Sequence, residues 1–271
     1  MLPSDPAIRR ILVALDASNH SLAALQAAAE MAAKMEAELL GLFVEDANLL
    51  QLAGLPFARE VGGVAGGARR LDAPAMERSL KAQAERSRLA LVAAAEPWRL
   101  RWSFRVVRGE VVEEVLAAAY EADLVSIGKI GRQPSAGGRL GMVARGVVAA
   151  APRSVLLTRH EVPSRPSVGV VYGDTPGAAK ALWVGAKLAR DGGGLTVLIP
   201  AADGAGGLRL EDEAAQLLRS RGLSARYSWF DSSGALPVQL LQGEGLLVAS
   251  ADSVLAEKLL EELDCPVLLV R

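Results

Sequence analysis

The sequence predicts an α/β protein in which helices cover both faces of open, parallel β-sheets. Short, continuous apolar runs alternate with longer segments whose apolar residues recur at helical spacing. Such runs are typical of parallel strands that are buried on both sides. The whole alternation also occurs twice along the 271 residues, so the second half repeats the first. We therefore expect two five-stranded units of the same architecture.

The first half contains five apolar runs and four segments with helical periodicity. Asp16 and Ser18 directly precede the first of these helices, and both residue types are favourable helix caps. Residues 48–70 form a long connection with a glycine-rich centre, which predicts either a lid over a ligand or a linker. The predicted strands are residues 11–15, 38–44, 102–107, 124–127 and 154–158, and the predicted helices are residues 18–35, 73–96, 110–121 and 142–151.

The second half repeats this order with two deletions. Its last strand, Pro266-Val-Leu-Leu-Val-Arg271, repeats Ser154-Val-Leu-Leu-Thr-Arg159 at a sequence offset of 112. Strands one to four have offsets near 157, 156, 123 and 122, so one long segment is missing after strand two and a shorter one, of ten positions, after strand four. We expect one domain at residues 1–160 and a degenerate one at residues 161–271. The predicted strands are residues 168–172, 195–199, 225–230, 246–249 and 266–270, and the predicted helices are residues 177–190, 208–221, 236–242 and 252–263.

Three glycines follow the fourth strand of the first half: Gly128, Gly131 and, after nine further residues, Gly141. A glycine-rich turn between a strand and a helix N-terminus lets backbone amides surround a phosphate. Residues 124–160 contain no Asp or Glu, where about four would be expected, and this favours a bound anion. An ordinary loop with solvated arginines is the alternative. The basic residues of this segment are Lys129, Arg132, Arg139, Arg145, Arg153 and Arg159.

Composition excludes several classes of protein. The net charge of −1 argues against a nucleic-acid-binding protein. With Cys265 as the single cysteine and two histidines in all, neither an internal disulfide nor a zinc site is expected. No apolar run reaches about 18 residues without a charge, and no signal-peptide pattern begins the sequence. We therefore expect a cytoplasmic protein that does not span a membrane.

Four segments of the first half together resemble one known family. They are Ile11-Leu-Val-Ala-Leu-Asp16-Ala-Ser18, Gly41-Leu-Phe-Val44-Glu-Asp46, residues 123–141 with their three glycines, and Pro152-Arg-Ser-Val-Leu-Leu-Thr-Arg159. In this combination the chain resembles a tandem universal stress protein whose second domain is degenerate. The resemblance implies a Rossmann-like sheet with strand order 3-2-1-4-5 in each domain. It also implies that the two domains pair through their last strands as a pseudo-dimer, and we expect the chains to form homodimers as well.

The resemblance further implies an adenine nucleotide at the carboxyl ends of strands one and four. Asp16 would then bind the ribose, the Val44 backbone would contact the adenine edge, and Ala14 and Ile127 would form apolar walls. The glycines and the amides that follow Gly141 would surround the phosphates, assisted by basic side chains. The residues expected at the phosphates are Gly128, Lys129, Ile130, Gly131, Arg132, Gly141, Met142 and Val143.

Met142 departs from the family pattern, since ATP-binding members have Ser or Thr directly after the third glycine. A thioether donates no hydrogen bond, so we expect weakened phosphate binding. Asp16, Glu45 and Asp46 could supply oxygen ligands to Mg²⁺. No nucleophile–base pair is evident, so at most slow ATP hydrolysis is expected.

Three functional hypotheses follow from these residues. The first is a stress-response regulator that binds ATP, or ADP or AMP, and thereby changes its interaction with an unidentified partner protein. The second is a pair of nucleotide-free interaction modules, in which Met142 marks the loss of binding. The third is an enzyme of the related adenine-nucleotide-activating superfamily. Against this third hypothesis, neither a Ser-Gly-Gly motif after strand one nor a His-x-Gly-His motif occurs.

Overall fold

The computed structural model of the chain describes residues 8–55, 59–61, 68–70, 72–131, 140–159, 167–190, 194–201, 203–231 and 245–271. The strands are β1 (Arg10–Leu15), β2 (Glu38–Asp46), β3 (Arg59–Val61), β4 (Ala68–Arg70), β5 (Trp102–Gly109), β6 (Leu124–Gly128), β7 (Ser154–Thr158), β8 (Val168–Val171), β9 (Leu195–Pro200), β10 (Arg226–Phe230), β11 (Leu246–Ser250) and β12 (Val267–Val270). The helices are α1 (Asn19–Met35), α2 (Ala47–Ala53), α3 (Ala73–Ala95), α4 (Val111–Ala119), α5 (Met142–Ala150), α6 (Ala178–Ala189), α7 (Gly204–Arg219) and α8 (Ala256–Glu262), with a 3₁₀ turn at Glu96–Trp98.

Ten of these strands form one sheet in the order β10-β9-β8-β11-β12-β7-β6-β1-β2-β5. Each half keeps the expected order 3-2-1-4-5 with parallel neighbours, which confirms the α/β class. The two five-stranded units form one continuous sheet rather than two, because their last strands, β7 and β12, pair antiparallel, as the family resemblance implies. Each of these apolar strands would otherwise be an unpaired edge, and the pairing satisfies the backbone hydrogen-bonding groups of both.

The sheet register reproduces the offsets read from the sequence. Ile11 pairs with Leu39 and Leu124, and its counterpart Val168 pairs with Leu195 and Leu246. Equivalent residues therefore occupy equivalent places in the two halves. A register of this kind is set by which face of each strand is apolar, because a slip of one residue would turn every side chain over.

Each face of the sheet is covered by a core that extends through both halves. Leu25, Leu91, Leu156, Leu182 and Leu268 belong to the core beneath α1, α3, α6 and α7. The opposite core lies beneath α4, α5 and α8. None of the helices in the described residues combines the length and apolar composition needed to cross a membrane.

Polar contacts also join the halves across the seam, by which we mean the β7–β12 junction. Arg159, after β7, forms an ion pair with Asp264 of the second half. Arg271, its counterpart after β12, donates a hydrogen bond to the carbonyl oxygen of Val148 in the first half. Arg145 of α5 additionally pairs with Glu261 of α8 at 3.0 Å.

Three predicted segments differ from the structure. The connection at residues 48–70 contains helix α2, which Asp46 caps, and the antiparallel hairpin β3–β4. Helix α7 begins four residues earlier than expected because Asp203 caps it through the amide of Gly206. Helix α8 begins at Ala256 rather than near residue 252, after a turn held by serine side chains. The predicted helix at residues 236–242 and the linker at residues 161–166 lie outside the described residues.

Candidate nucleotide site

The candidate site lies where the strand order of the first half reverses. Strand β1 is paired with β2 on one side and with β6 on the other. Helix α1, which follows β1, packs on one face of the sheet, and helix α5, which follows β6, packs on the other. Parallel sheets bind ligands in the crevice outside the carboxyl ends of the strands at such a point. Asp16 follows the carboxyl end of β1, and Gly128 is the last residue of β6.

A tight turn fixes the carboxylate of Asp16. Its Oδ1 accepts a hydrogen bond from the amide of Ser18 at 2.9 Å, and Ser18 in turn caps α1 through the amide of Ser21. Ala17 between them has φ of 58°, a left-handed conformation that costs an alanine about 1–2 kcal/mol. The sequence gives no sign of this conformation, since alanine has no preference for it. Backbone strain of this kind is concentrated at functional sites.

The ends of the glycine loop meet beside Asp16. The amide of Gly141 donates to the carbonyl oxygen of Lys129 at 2.8 Å, which closes the loop. A Cβ added to Gly141 would lie 3.3 Å from the amide nitrogen of Gly131 and 3.4 Å from the Cα of Ile130. A Cβ added to Gly131 would lie 3.6 Å from Asp16 Oδ2. The structure thus brings Asp16, Gly131 and Gly141 together, as the sequence predicted. Arg132 lies outside the described residues.

Gly128 has a different reason to be glycine. A Cβ at this position would lie 2.8 Å from the carbonyl carbon of His20 and 3.0 Å from its oxygen, so β6 can approach α1 only without a side chain here. The Nδ1 of His20 contacts the carbonyl oxygen of Arg159 at 3.0 Å. Gly128 therefore belongs to the packing between β6 and α1.

An apolar surface lies next to the loop. Ala14 and Val44, both half-buried, pack on the same core as the buried Ile127, so the three residues predicted for the adenine share one face of the sheet. Val107 and Val143 extend this surface; Val107 pairs with Val44 across neighbouring strands. Sequence reasoning did not include Val107, although the strand order 3-2-1 places it beside Val44.

The N-terminus of α5 faces this region without a side-chain cap. Gly141 occupies the cap position and supplies no side chain, and the first turn contains no acidic residue. Met142, the first helical residue, is 79% exposed. The first amides of a helix have no partner within the helix, and the helix dipole favours an anion there.

Lys129 lies in the loop but directs its charge elsewhere. The side chain is 3% exposed, and its ammonium donates a hydrogen bond to the carbonyl oxygen of Leu263, at the end of α8 in the second half. A phosphate contact by this ammonium would require it to leave the seam. The sequence could not show this placement, because it depends on how the two halves pack.

The acidic residues considered for Mg²⁺ are not gathered in one place. Glu45 pairs with Arg108 at 2.8 Å, and the hydrogen bond to this carboxylate raises the pKa of Arg108. Asp46 accepts the amide of Asn48 at the start of α2. Across the described ranges, no three or more His, Cys, Asp or Glu side chains form a cluster that could hold a metal ion.

The second half lacks the equivalent arrangement. Gly173 is the counterpart of Asp16, because the offset of 157 that relates Val168 to Ile11 also relates Gly173 to Asp16. Five residues, 251–255, connect β11 to α8, whereas thirteen connect β6 to α5. Gly177, which replaces His20, packs against the hydroxyl of Ser250. The fold is therefore repeated without the loop.

The Universal stress protein family model matches residues 7–159, which is more than half of the chain. With its fold and loop, the protein belongs to the universal stress protein family. None of the curated proteins matches the sequence.

Two solved structures that match nearly the whole chain show the same fold. A universal stress protein from Archaeoglobus fulgidus DSM 4304 is 16% identical, with a TM-score of 0.71 over 97% of this chain and 98% of its own. A protein of Pseudomonas aeruginosa UCBPP-PA14, described as a universal stress protein, is 16% identical, with a TM-score of 0.56 over 98% and 94% of the two chains. A universal stress protein in complex with cAMP is 22% identical over 56% of this chain and 98% of its own, with a TM-score of 0.39.

Proposed function

We propose that the first half binds one adenine nucleotide, with ATP as the preferred ligand, and that binding changes the interaction of the protein with a partner protein. The observation that carries this proposal is the meeting of Gly131, Gly141 and Asp16 at the carboxyl ends of β1 and β6. A carboxylate for the ribose and a closed loop for the phosphates then lie side by side. Residues 161–271 would be a second, degenerate domain of the same family.

The phosphates would be held by backbone amides more than by side chains. The uncapped first turn of α5 supplies the amides of Met142 and Val143, and Gly131 supplies another from the opposite side of the loop. Because Lys129 is held at the seam, we do not include its ammonium among the phosphate ligands. The adenine would rest on the apolar surface formed by Ala14, Val44 and Ile127.

Two side chains, one in the loop and one in the helix that follows it, contact the second half, where a regulatory effect would appear. The ammonium of Lys129 donates to the end of α8, and Arg145 of α5 pairs with Glu257 and Glu261 of the same helix. A loop that tightens around phosphates would therefore act on α8. Hydrogen exchange in residues 256–262 should slow when nucleotide is added.

Titration of the full chain with ATP, ADP, AMP and cAMP, with and without Mg²⁺, tests the proposal. At a hundredfold excess over the dissociation constant, linkage stabilises the protein by about 2.7 kcal/mol. For a chain of this size, the melting temperature should rise by about 5–10 °C. Calorimetry should give one nucleotide per chain. Two equivalent sites, or no rise with any nucleotide, would contradict the proposal.

Gly131→Val provides the specific variant and Gly204→Val its matched control. A valine at 131 would fill the space between the loop and Asp16, and we expect nucleotide binding to be lost while the fold is kept. A Cβ at Gly204, at the start of α7, meets nothing within 4 Å, so the same substitution there should leave binding unchanged. Normal binding by Gly131→Val would exclude the proposed phosphate site.

A nucleotide-free interaction module is the second candidate. The placement of Lys129 and the exposed thioether of Met142 favour it, because both positions lack the charge or hydroxyl that would assist a phosphate. In that case no nucleotide would change the melting temperature. No catalytic function is proposed.

A homodimer would have to use other surfaces than the last strands, which already pair within the chain. Within the described residues, β5 and β10 are the two outer strands of the sheet. We propose that chains associate further, and light scattering that returns the mass of a single chain, 28.3 kDa, would exclude this.

A further inference from the structure

A cleft opens at one end of the seam, on the edge of the sheet opposite the nucleotide site. Because β7 and β12 are antiparallel, the amino end of β7 and the carboxyl end of β12 meet at this edge. The open space there measures about 670 Å³, including the part continuous with solvent. The cavity proper measures about 220 Å³, more than the roughly 150 Å³ that holds a benzene molecule. For the second half, this edge is also the carboxyl end of its strands.

The floor of the cleft is apolar and is formed by both halves. Ile8, which precedes β1, contributes from the first half, and Val184, Leu268 and Val270 contribute from the second. Each of these side chains is at most 7% exposed. An apolar body placed on this floor would lose contact with water, and that burial is favourable.

Three basic side chains line the rim: Arg153, Lys180 and Arg271. Within the described part of the chain, Arg153 makes no hydrogen bond or ion pair. Lys180 donates to the carbonyl oxygen of Arg271, and Arg271 donates to that of Val148.

One acid, Asp123, lines the cleft among the described residues. Its Oδ2 already accepts the backbone amides of Arg9 and Arg10, at 2.8 and 3.1 Å. With three cations and one engaged carboxylate, these side chains carry a net positive charge. An anion would be attracted to them.

The repeat does not require this charge. At the opposite end of the seam, the counterparts of Lys180 and Arg153 are Ala23 and Cys265, by the offsets of the strands next to them. The counterpart of Arg271 is Arg159, whose charge is paired with the carboxylate of Asp264. A rim of three basic side chains, of which Arg153 has no acidic partner among the described residues, thus occurs at one end of a nearly symmetric junction, and the shared scaffold does not explain it.

We propose that this cleft binds a small organic anion with an apolar body, either a carboxylate or a phosphate monoester. The acidic group would contact Arg153, Lys180 and Arg271, and the body would lie on the floor formed by Ile8 and Val184. The site is distinct from the nucleotide site, which occupies the other edge of the sheet, and it does not depend on nucleotide binding.

Calorimetric titration of the full chain with four probes tests the proposal. Octanoate supplies a carboxylate and an apolar body, phenyl phosphate supplies a phosphate and an apolar body, inorganic phosphate supplies charge alone, and 1-octanol supplies an apolar body alone. We expect saturable binding of octanoate or phenyl phosphate, at least tenfold tighter than inorganic phosphate or 1-octanol. The tighter of the two anions identifies the acidic group. Failure of both anions to bind, or equal binding of 1-octanol, would overturn the proposal.

Arg153→Glu is the decisive variant, because Arg153 has no hydrogen bond or ion pair within the described chain that the substitution would break. It should weaken binding of the anion by about tenfold or more. Arg86→Ala, which removes an exposed arginine of α3 remote from the seam, is the control and should bind normally. Val184→Trp should block the floor, and its unchanged unfolding cooperativity would show that the fold is kept. Unchanged affinity in Arg153→Glu would overturn the proposed site.

Discussion

Alanine substitutions at Gly128 and Gly131 should separate the structural and the ligand-binding parts of one glycine motif. At Gly128 the new Cβ would lie 2.8 Å from the carbonyl carbon of His20, whereas an ordinary contact is at least about 3.4 Å. The backbone of β6 or α1 would have to move by about 0.6 Å to relieve this contact, because none of the atoms in contact is the end of a flexible side chain. Overpacking of this kind costs about 1–3 kcal/mol. The melting temperature of Gly128→Ala should therefore fall by about 3–10 °C.

Gly131→Ala is the matched substitution, three residues along the same loop. Its Cβ would lie 3.6 Å from Asp16 Oδ2, an ordinary contact, and its φ is not among the positive values of the described glycines. Replacing such a glycine can stabilise a protein by about 0.4–1 kcal/mol through the unfolded state. Its melting temperature should stay the same or rise slightly, while its nucleotide affinity falls. Calorimetric unfolding of both variants measures this difference. Equal changes in melting temperature would refute the assignment of Gly128 to packing and of Gly131 to ligand binding.

Three further predictions test other parts of the structure. Met142→Ser would add a hydroxyl at the first position of α5, and calorimetry should then show ATP binding about tenfold tighter with little change for AMP. An equal effect on both nucleotides would place this residue away from the outer phosphates. Ala17→Gly should relieve the left-handed strain at φ of 58° and raise the melting temperature by about 2 °C, whereas a lower value would show that the turn is not strained. Leu156→Ala removes a fully buried side chain from a core that both halves share, so it should lower the free energy of unfolding by about 2–5 kcal/mol while the chain still unfolds in one cooperative transition. Two separate transitions in calorimetry would mean that the halves unfold independently.

The strands and their equivalence across the repeat could be predicted because each strand is a continuous apolar run. Burial on both faces requires such runs, and the strand length and spacing then leave one consistent register, as the pairings of Ile11 and Val168 show. The shortened loop of the second half was visible for the same reason, since it changes the spacing between two recognisable strands. Helix α2 and the hairpin β3–β4 were missed because their short segments lack a clear period.

Within the candidate site, chemistry that depends on neighbours along the chain was predictable, and chemistry that depends on distant neighbours was not. Asp16, Gly131 and Gly141 follow strands whose carboxyl ends must meet, so their proximity could be expected. The ammonium of Lys129 reaches Leu263, 134 residues away, and no local pattern indicates this. Gly128 matched a phosphate motif, yet the backbone of His20 explains its lack of a side chain.

The sequence by itself determined the class of fold, the repeat and the presence of a single glycine loop, because apolar periodicity and residue spacing are properties of neighbouring positions. The antiparallel pairing of β7 and β12 joins the two sheets into one; the family resemblance implied this pairing, and the tertiary structure decided its register and the contacts around it. That pairing brings the amino end of one half against the carboxyl end of the other. The anchoring of Lys129 and the basic cleft beside Arg153 both follow from it, since their charges acquire a location only when the halves pack together.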